Sequence, residues 1–493
     1  MASQAHVVYN DFSGGEFGTI GARRAPDGTW TGLNMRVYRN GSLGVRPGLH
    51  DLAVTGMPSG AVKGVAYIPF SGKEIIIVVG TSVRFVSFAQ AAAVSASAGT
   101  LAATPAYPIR FSESTRSLDS RVYFQNPGDG SYYATPSAVT LTALTNDPSG
   151  NCMDLYKDRM VAGGPAERLR YSNAADFTTW SSLQFIDVGY SYPAFQMISH
   201  RDGLSIFAQA LIWRITGTIG STEVLRRASS GLAISTQGDA VLDNERVFYI
   251  PGARTAPIVF DGGNADEKSL AHLEWHTDSA GTTDPVSGGI ARRYNDILFS
   301  NYGYDRGLWR SSGAWTFHEW GVTQSGLLTR AASDKFVIAS DDSPPKLYVL
   351  DASLDRPGFT SDTYADPGDI SDTQLSGNFS LPEYWDPQLK EIRVRAVTVN
   401  FTKWDTGGST TNNFTLAVKA LDQYGGGAAI TSATQSFNEA GSSATTSGVD
   451  QRAVFYFGDQ GSGGGFQLIF TAIRGVAIRD IVVSLESLPS RAE

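Results

Sequence analysis

The stretch Val62-Lys-Gly-Val-Ala-Tyr-Ile68, Glu74-Ile-Ile-Ile-Val-Val79, Val83-Arg-Phe-Val-Ser-Phe88 decides how the fold is read. Three apolar runs of strand length are separated only by Pro69-Phe-Ser-Gly-Lys73 and Gly80-Thr-Ser82. The last run alternates apolar and polar residues, which puts one face of a strand inside and the other in water. The middle run is apolar throughout, as expected of a strand covered on both faces. The pattern is an antiparallel meander with a buried central strand. Residues 89–106, rich in Ala and Ser, read as a loop or a poorly packed edge.

Units of the same kind follow. Ser120-Arg-Val-Tyr-Phe124 and Ser131-Tyr-Tyr133 flank a Pro-Gly-Asp-Gly turn, the chemistry of a hairpin. Further groups start near Cys152, Phe195, Gly238, Gly288 and Leu327. The recurring unit of roughly 40 to 50 residues is the period of propeller blades. No WD or kelch signature marks it, and the expected count is about six to eight blades over 55–355. Asp351 to Leu381 has the Asp, Ser, Thr, Gly and Pro content of a linker. Alternation returns at Ile392 to Phe401, Phe414 to Leu421, Ala453 to Phe457, Phe466 to Phe470 and Ile478 to Leu485. These predict an antiparallel sandwich, with 431–450 as a surface loop. The expected organisation is an all-β chain: an N-terminal arm (1–54), an irregular propeller (55–355), a linker (356–389) and a C-terminal β-sandwich (390–493).

Composition supports many short strands. Of 493 residues, 53 are Gly and 11% are aromatic, without long Ala/Leu/Glu/Lys stretches. The net charge of −9 argues against a protein that grips nucleic acid on a basic surface. An acidic wall is compatible with DNA that slides past without adhering. Cys152 stands alone, so no internal disulfide forms, which suits assembly in a reducing cytoplasm. No run of eighteen apolar residues predicts a membrane span, and the first residues lack the pattern of a signal peptide.

Chemistry is sparse. His272-Leu-Glu-Trp-His276 would place His272, Glu274 and His276 on one strand face as a possible metal ligand set. A solvated strand face or loop is the preferred reading, since the helical zinc-protease pattern needs Glu directly after the first His. Tyr171-Ser-Asn-Ala-Ala-Asp176-Phe-Thr-Thr-Trp180 partly matches the Asp-box of sialidase-type propellers. Its expected role is structural, with Asp176 capping a turn and Trp180 packing between strands. Trp309, Trp315 and Trp320 are the candidates for stacking on sugar rings, against blade-core packing as the plainer role. There is no phosphate loop and no nucleophile elbow. No cofactor is expected, and the chain does not read as an enzyme.

The N-terminal stretch has a different texture. Asn10-Asp-Phe-Ser-Gly-Gly-Glu16 is followed by Leu33-Asn34 and by Leu43-Gly-Val-Arg-Pro-Gly48. Backbone breakers surround isolated apolar anchors, as in an extended segment that turns sharply and is pinned at a few points. The order of Phe12, Gly14, Gly15, Glu16, then Asn34, then Arg46, Pro47 and Gly48 resembles the N-terminal signature of the nozzle or hub proteins of short-tailed bacteriophages, the tail tubular protein B group. The chain departs from that group between the two halves, keeping only Arg23, Arg24 and Trp30 of a longer arginine- and tyrosine-containing segment. The resemblance implies a virion protein assembled in the host cytoplasm, forming a ring of six copies below the portal-adaptor. Its partners would be a tail tubular protein A-like adaptor and a fibre or spike, with double-stranded DNA passing through. The alternatives are a glycan-binding or glycan-degrading tail propeller and a neck or minor capsid component.

Overall fold

The computed structural model describes residues 4–13, 15–16, 29–68, 70–87, 94–112, 121–126, 129–146, 150–163, 168–189, 194–208, 211–230, 234, 240–249, 251, 257–266, 270, 290–293, 296–299, 306–319, 324–330, 335–340, 342–351, 377–385, 391–403, 411–421, 430–440, 449–457 and 462–487. Every regular element among them is a β-strand. The chain divides into two compact units. One comprises Met1–His50, Leu308–Glu319 and Leu350–Glu493; the other comprises Asp51–Gly307 and Trp320–Val349.

The second unit begins with the expected meander. Val62–Tyr67, Ile75–Val79 and Ser82–Val86 lie in that order, and Ser95–Thr100 adds a fourth strand. Ile75–Val79 is buried along its whole length, as its unbroken apolar run requires. Of the two readings for 89–106, a loop or a poorly packed edge, Ser95–Thr100 is the edge. Its small residues pair with Val86 to Ser82 across a register shift at Ser97/Gly99. An outer strand with one face in water needs little apolar side chain, so its alternation is faint in the sequence.

Further small sheets follow in chain order. The second has Val122–Asn126, Gly130–Thr135 and Thr140–Ala143. The third has Cys152–Tyr156, Arg159–Gly163, Arg168–Asn173 and Asp176–Asp187. The fourth has Ala194–His200, Gly203–Ala208, Leu211–Thr216 and Val224–Ser230. The fifth has Ala240–Asp243, Arg246–Tyr249, Ile258–Phe260 and Ala265–Asp266. The sixth starts with the antiparallel pair Ile290–Arg293 and Asp296–Phe299. The seventh contains Gln324–Arg330, Lys335–Ser340 and Leu347–Asp351, completed by Leu49–Asp51. Here Leu52 N–H donates to Leu347 O at 2.9 Å, and Lys346 Nζ lies 3.5 Å from Asp51 Oδ2.

From the second sheet to the seventh, the leading strand of each sheet packs on that of the next, and Gln324–Arg330 packs on Val62–Tyr67. Between the first and second sheets, Ile109 N–H donates to Lys63 O at 2.6 Å, and Phe111 bridges to Phe124. The small sheets therefore form a closed circuit, the arrangement of a β-propeller. Their cores lie between neighbours. Val78, Phe85 and Phe124 pack between the first two sheets, and Cys152, Leu204 and Trp213 between the third and fourth. The Cys152 thiol is buried, and burial raises its pKa.

The first unit is a sandwich of two larger sheets. One runs Val449–Tyr456, Ile392–Lys403, Val476–Ser487, Leu43–Val45, Met35–Val37, with Gln4–Tyr9 also on Val476–Ser487 and Ser462–Gly463 on Ile392–Lys403. The other runs Gly15–Glu16, Thr29–Leu33, Gly377–Ser380, Gly465–Ile473, Thr411–Leu421, Ile430–Ala440, with Tyr384–Trp385 on Gly465–Ile473. One core joins them. Phe401 of the first sheet meets Phe414 of the second edge-on at 5.4 Å, within a cluster that also holds Phe12, Trp30, Met35 and Leu43.

The domain boundaries change accordingly. The arm expected for 1–54 is not separate: Gln4–Tyr9, Gly15–Glu16, Thr29–Leu33, Met35–Val37 and Leu43–Val45 complete both sheets of the sandwich expected from 390–493 alone, and Leu49–Asp51 completes the seventh small sheet. Val8 sits opposite Val482 in an antiparallel ladder running from Gln4↔Glu486 to Tyr9↔Ile481. Within the expected linker 356–389, Gly377–Ser380 is a strand, and Phe379 stacks on Phe470 with centroids 4.6 Å apart. Part of the expected loop 431–450 is the strand Ile430–Ala440, which ends its sheet and needs few large apolar residues.

Candidate functional site

The motif that carries the family resemblance is built into the first unit. Asp11 Oδ1 accepts from Ser13 N–H at 2.8 Å, and Gly15 N–H donates to Phe12 O at 3.2 Å, making a tight turn. Gly15 has φ +74°, and a Cβ there would lie 2.8 Å from Trp315 N, so a side chain is excluded by both conformation and space. Gly15–Glu16 then pairs in parallel with Thr29–Trp30. Phe12 and Trp30 are each 1% exposed. Both rings meet Phe379 edge-on, at 6.4 and 6.3 Å, and Trp30 Nε1–H donates to Phe12 O at 3.3 Å.

Asn34 turns the chain with φ +60°, a left-handed conformation that Asn tolerates better than most residues. Its N–H donates to Phe317 O at 2.9 Å, and its carbonyl accepts from Arg46 N–H at 3.0 Å. Arg46 is fully buried and donates through Nη1 to Pro47 O at 2.8 Å. Burial lowers its pKa to about 9, partly offset by Tyr38, so it stays charged at neutral pH. Pro47 and Gly48 are buried beside it. Gly14 and the Glu16 side chain lie outside the described residues.

A second arginine was not apparent from the sequence. Arg36 is 1% exposed, and its guanidinium lies over Trp309 at 4.4 Å and near Tyr38 at 5.1 Å, a cation–π arrangement. Arg36 Nε also donates to Ser311 Oγ at 2.8 Å. Nearby, His318 is buried and its pKa is held well below 6.5, by burial first and then by Arg46 and Arg36. Its Nε2 lies 2.6 Å from Thr316 Oγ1, which is also 3.2 Å from Trp309 O. No local pattern announces polar residues with core positions in a strand.

This arrangement is a brace. Two enclosed guanidinium groups and a neutral imidazole hold the N-terminal strands and the Leu308–Glu319 hairpin together inside one unit. None of the three is presented to solvent as a nucleophile or base. Trp309 is fully buried and Trp315 is 6% exposed, so neither offers a face to a sugar. Trp320 lies outside the described residues.

The remaining candidates resolve as follows. His272, Glu274 and His276 all lie outside the described residues. Among the described residues, no group of three or more His, Cys, Asp or Glu side chains could hold a metal ion. Asp176 Oδ1 accepts from Thr178 N–H at 3.1 Å and from Thr178 Oγ1 at 2.8 Å. Trp180 is buried and donates through Nε1 to Phe177 O at 3.1 Å. The Asp-box-like segment is thus a capped turn with a packed indole.

The fold places the chain among all-β proteins of propeller type. No family model matches the sequence, and no curated protein does. Among solved structures, the WD40 β-propeller domain of Doa1 is similar over 65% of this chain and 100% of that one, at 8% identity and TM-score 0.43. The Neurospora crassa Pan2 WD40 domain is similar over 62% and 96%, at 9% identity and TM-score 0.42.

Proposed function

We propose that the chain is a structural component of a short bacteriophage tail, a nozzle or hub ring lining the DNA exit channel below the portal-adaptor. The observation that carries this reading is the use made of the resembling motif. Phe12, Gly15, Asn34, Arg46, Pro47 and Gly48 are all spent on holding a frame, as a motif marking an architecture should be, and none is held out as a reagent. The mechanism is geometric and electrostatic. Stiff antiparallel modules give subunits that keep their shape around a passage, and the net charge of −9 disfavours adhesion of a polyanion. Native mass spectrometry with negative-stain imaging tests it, on the purified protein alone and mixed with a portal-adaptor complex. Closed rings with a central hole, six copies by the resemblance, are expected. A chain that stays monomeric in both settings and binds or cleaves envelope glycan would overturn the reading in favour of a glycan-directed propeller.

A further inference from the structure

The seam between the fourth and fifth small sheets holds a buried titratable group that the proposed function leaves unused. His200 ends the Ala194–His200 strand and is 7% exposed. Its Nε2 lies 2.7 Å from Ser205 Oγ and 3.2 Å from Arg214 Nη1. A guanidinium only donates, so Nε2 must accept, and the ring is neutral with its proton on Nδ1. Arg214 is fixed in place, since Nη2 donates to His200 O at 3.1 Å and to Arg201 O at 2.6 Å. Two glycines make room for it. A Cβ on Gly203 would sit 2.7 Å from Arg214 Nε, and one on Gly262, in the turn between Ile258–Phe260 and Ala265–Asp266 of the fifth sheet, would collide with Nη1.

The fifth sheet closes on the same group. Arg201 Nε donates to Glu245 Oε2 at 3.1 Å and Nη1 to Asp261 O at 3.0 Å. The Asp261 carboxylate itself accepts from Gly263 and Asn264 N–H at 2.8 and 2.7 Å. The Phe260 ring meets the imidazole edge-on at 6.1 Å. From the third sheet, Tyr156 OH lies 2.8 Å from Asp202 O and 2.9 Å from Gly217 O. The turn residues Arg201, Asp202, Asn244 and Glu245 all have positive φ, between 43° and 69°. Such backbone costs energy for residues with a side chain, and here the cross-seam contacts of Arg201 and Glu245 offset it.

We propose that this seam is an acid-labile joint, in which protonation of His200 sets an imidazolium against the fixed Arg214 and releases the fifth sheet from the fourth. The charged groups acting on the ring are Arg214 and Arg201, which oppose its protonation, and Asp261, which favours it; the Glu245 carboxylate is paired with Arg201. Burial and then Arg214 lower the His200 pKa from 6.5 to about 4, against weaker opposing effects of the Glu245 backbone and Asp261. The opened seam therefore binds more protons than the closed one between these two values. The closed form is fully favoured above pH 6.5 and loses ground as pH falls towards 4. Between pH 7 and 5 the opening constant rises roughly twentyfold.

Hydrogen exchange of peptides spanning 194–216 and 240–261, against 62–86 as internal control, measures this opening after correction for intrinsic rates. The seam peptides are expected to show the twentyfold rise and the control is not. His200→Gln keeps an acceptor for Arg214 but cannot take a proton, and it should flatten the seam profile. Should that variant fail to fold, C2–H exchange of the histidines in the unmodified protein reads the titration of His200 directly. A His200 ring that titrates near 6.5 in the folded protein would overturn the proposal. So would a seam opening that does not change between pH 7 and 5, or one that rises equally in the glutamine variant.

Discussion

The two units use the same element and opposite connectivity. In the propeller unit, strands that pair are nearly always adjacent in the chain, and each core is shared between two neighbouring sheets. In the sandwich unit, Val8 pairs beside Val482 and Thr31 pairs beside Ser380, so the chain ends and the middle meet in a single core. A local fault in the first arrangement has few routes to spread. The second arrangement is cooperative, because each of its long ladders leans on strands from elsewhere in the sequence. The difference predicts where damage stays and where it travels.

The largest effect is expected from Phe470→Ala. Phe470 is fully buried, stacks on Phe379 at 4.6 Å and lies 5.9 Å from Phe414. Truncation should cost about 3–5 kcal/mol. Hydrogen exchange should show protection lost together in Gln4–Tyr9, Met35–Val37 and Val476–Ser487, while the fourth small sheet keeps its own. The counterpart Ile76→Ala, in the first small sheet, should loosen that sheet and its neighbour only. Loss confined to Gly465–Ile473 in the phenylalanine variant would show that the sandwich is not one cooperative body.

A smaller effect tests the N-terminal contribution by itself. Gly32 faces Phe379 across its strand pair, and an added Cβ would collide with Asn378 O. Gly32→Ala should cost about 1–3 kcal/mol through overpacking, read as a lower denaturation midpoint with an unchanged slope. A neutral result would mean that Thr29–Leu33 is held too loosely to count as part of the core.

The same contrast explains what could be read from the sequence. The propeller meanders were legible because apolar alternation, Gly turns and pairing all act within about forty residues. The seven small sheets among the described residues fall inside the expected range of six to eight. The pairing of Gln4–Tyr9 with Val476–Ser487 left no local trace, since alternation says that a strand forms and not which strand it joins. Ile430–Ala440 reads as a loop, and Ser95–Thr100 as a loop or a poorly packed edge, because outer strands carry little apolar content. Arg36 was missed for a related reason: Tyr38 is close by, but the indole and the hydroxyl that also receive the guanidinium, Trp309 and Ser311, lie far along the chain, Ser311 at a separation of 275 positions. His318 was missed although its partner Thr316 is only two positions away, because a neutral buried ring leaves no mark in the local pattern. Phe379 was hidden in a stretch whose composition was that of a linker.

The smallest effect concerns one joint of the propeller and sharpens the claim that its modules are locally secured. Asp129 Oδ2 accepts from Ala102 N–H at 3.0 Å, Ala103 N–H at 3.2 Å, Asn126 Nδ2 at 2.9 Å and Tyr132 OH at 2.7 Å. Burial raises its pKa, but Tyr132, Asn126 and the two backbone donors outweigh this and leave it below the ordinary value. The folded carboxylate therefore binds its proton less readily than the unfolded one. Its contribution is present above the ordinary carboxylate pKa and is lost as pH falls through the lower, folded value. Asp129→Asn should cost about 1 kcal/mol at pH 7, seen as faster hydrogen exchange in 101–106 with no change in the fourth sheet. The gap between the two proteins should narrow in acid, where the native carboxyl has also lost its charge. A gap that stayed constant down to the lowest pH at which both remain folded would assign the effect to shape rather than to charge. Faster exchange in the distant sheets would show that these joints are coupled around the whole circuit.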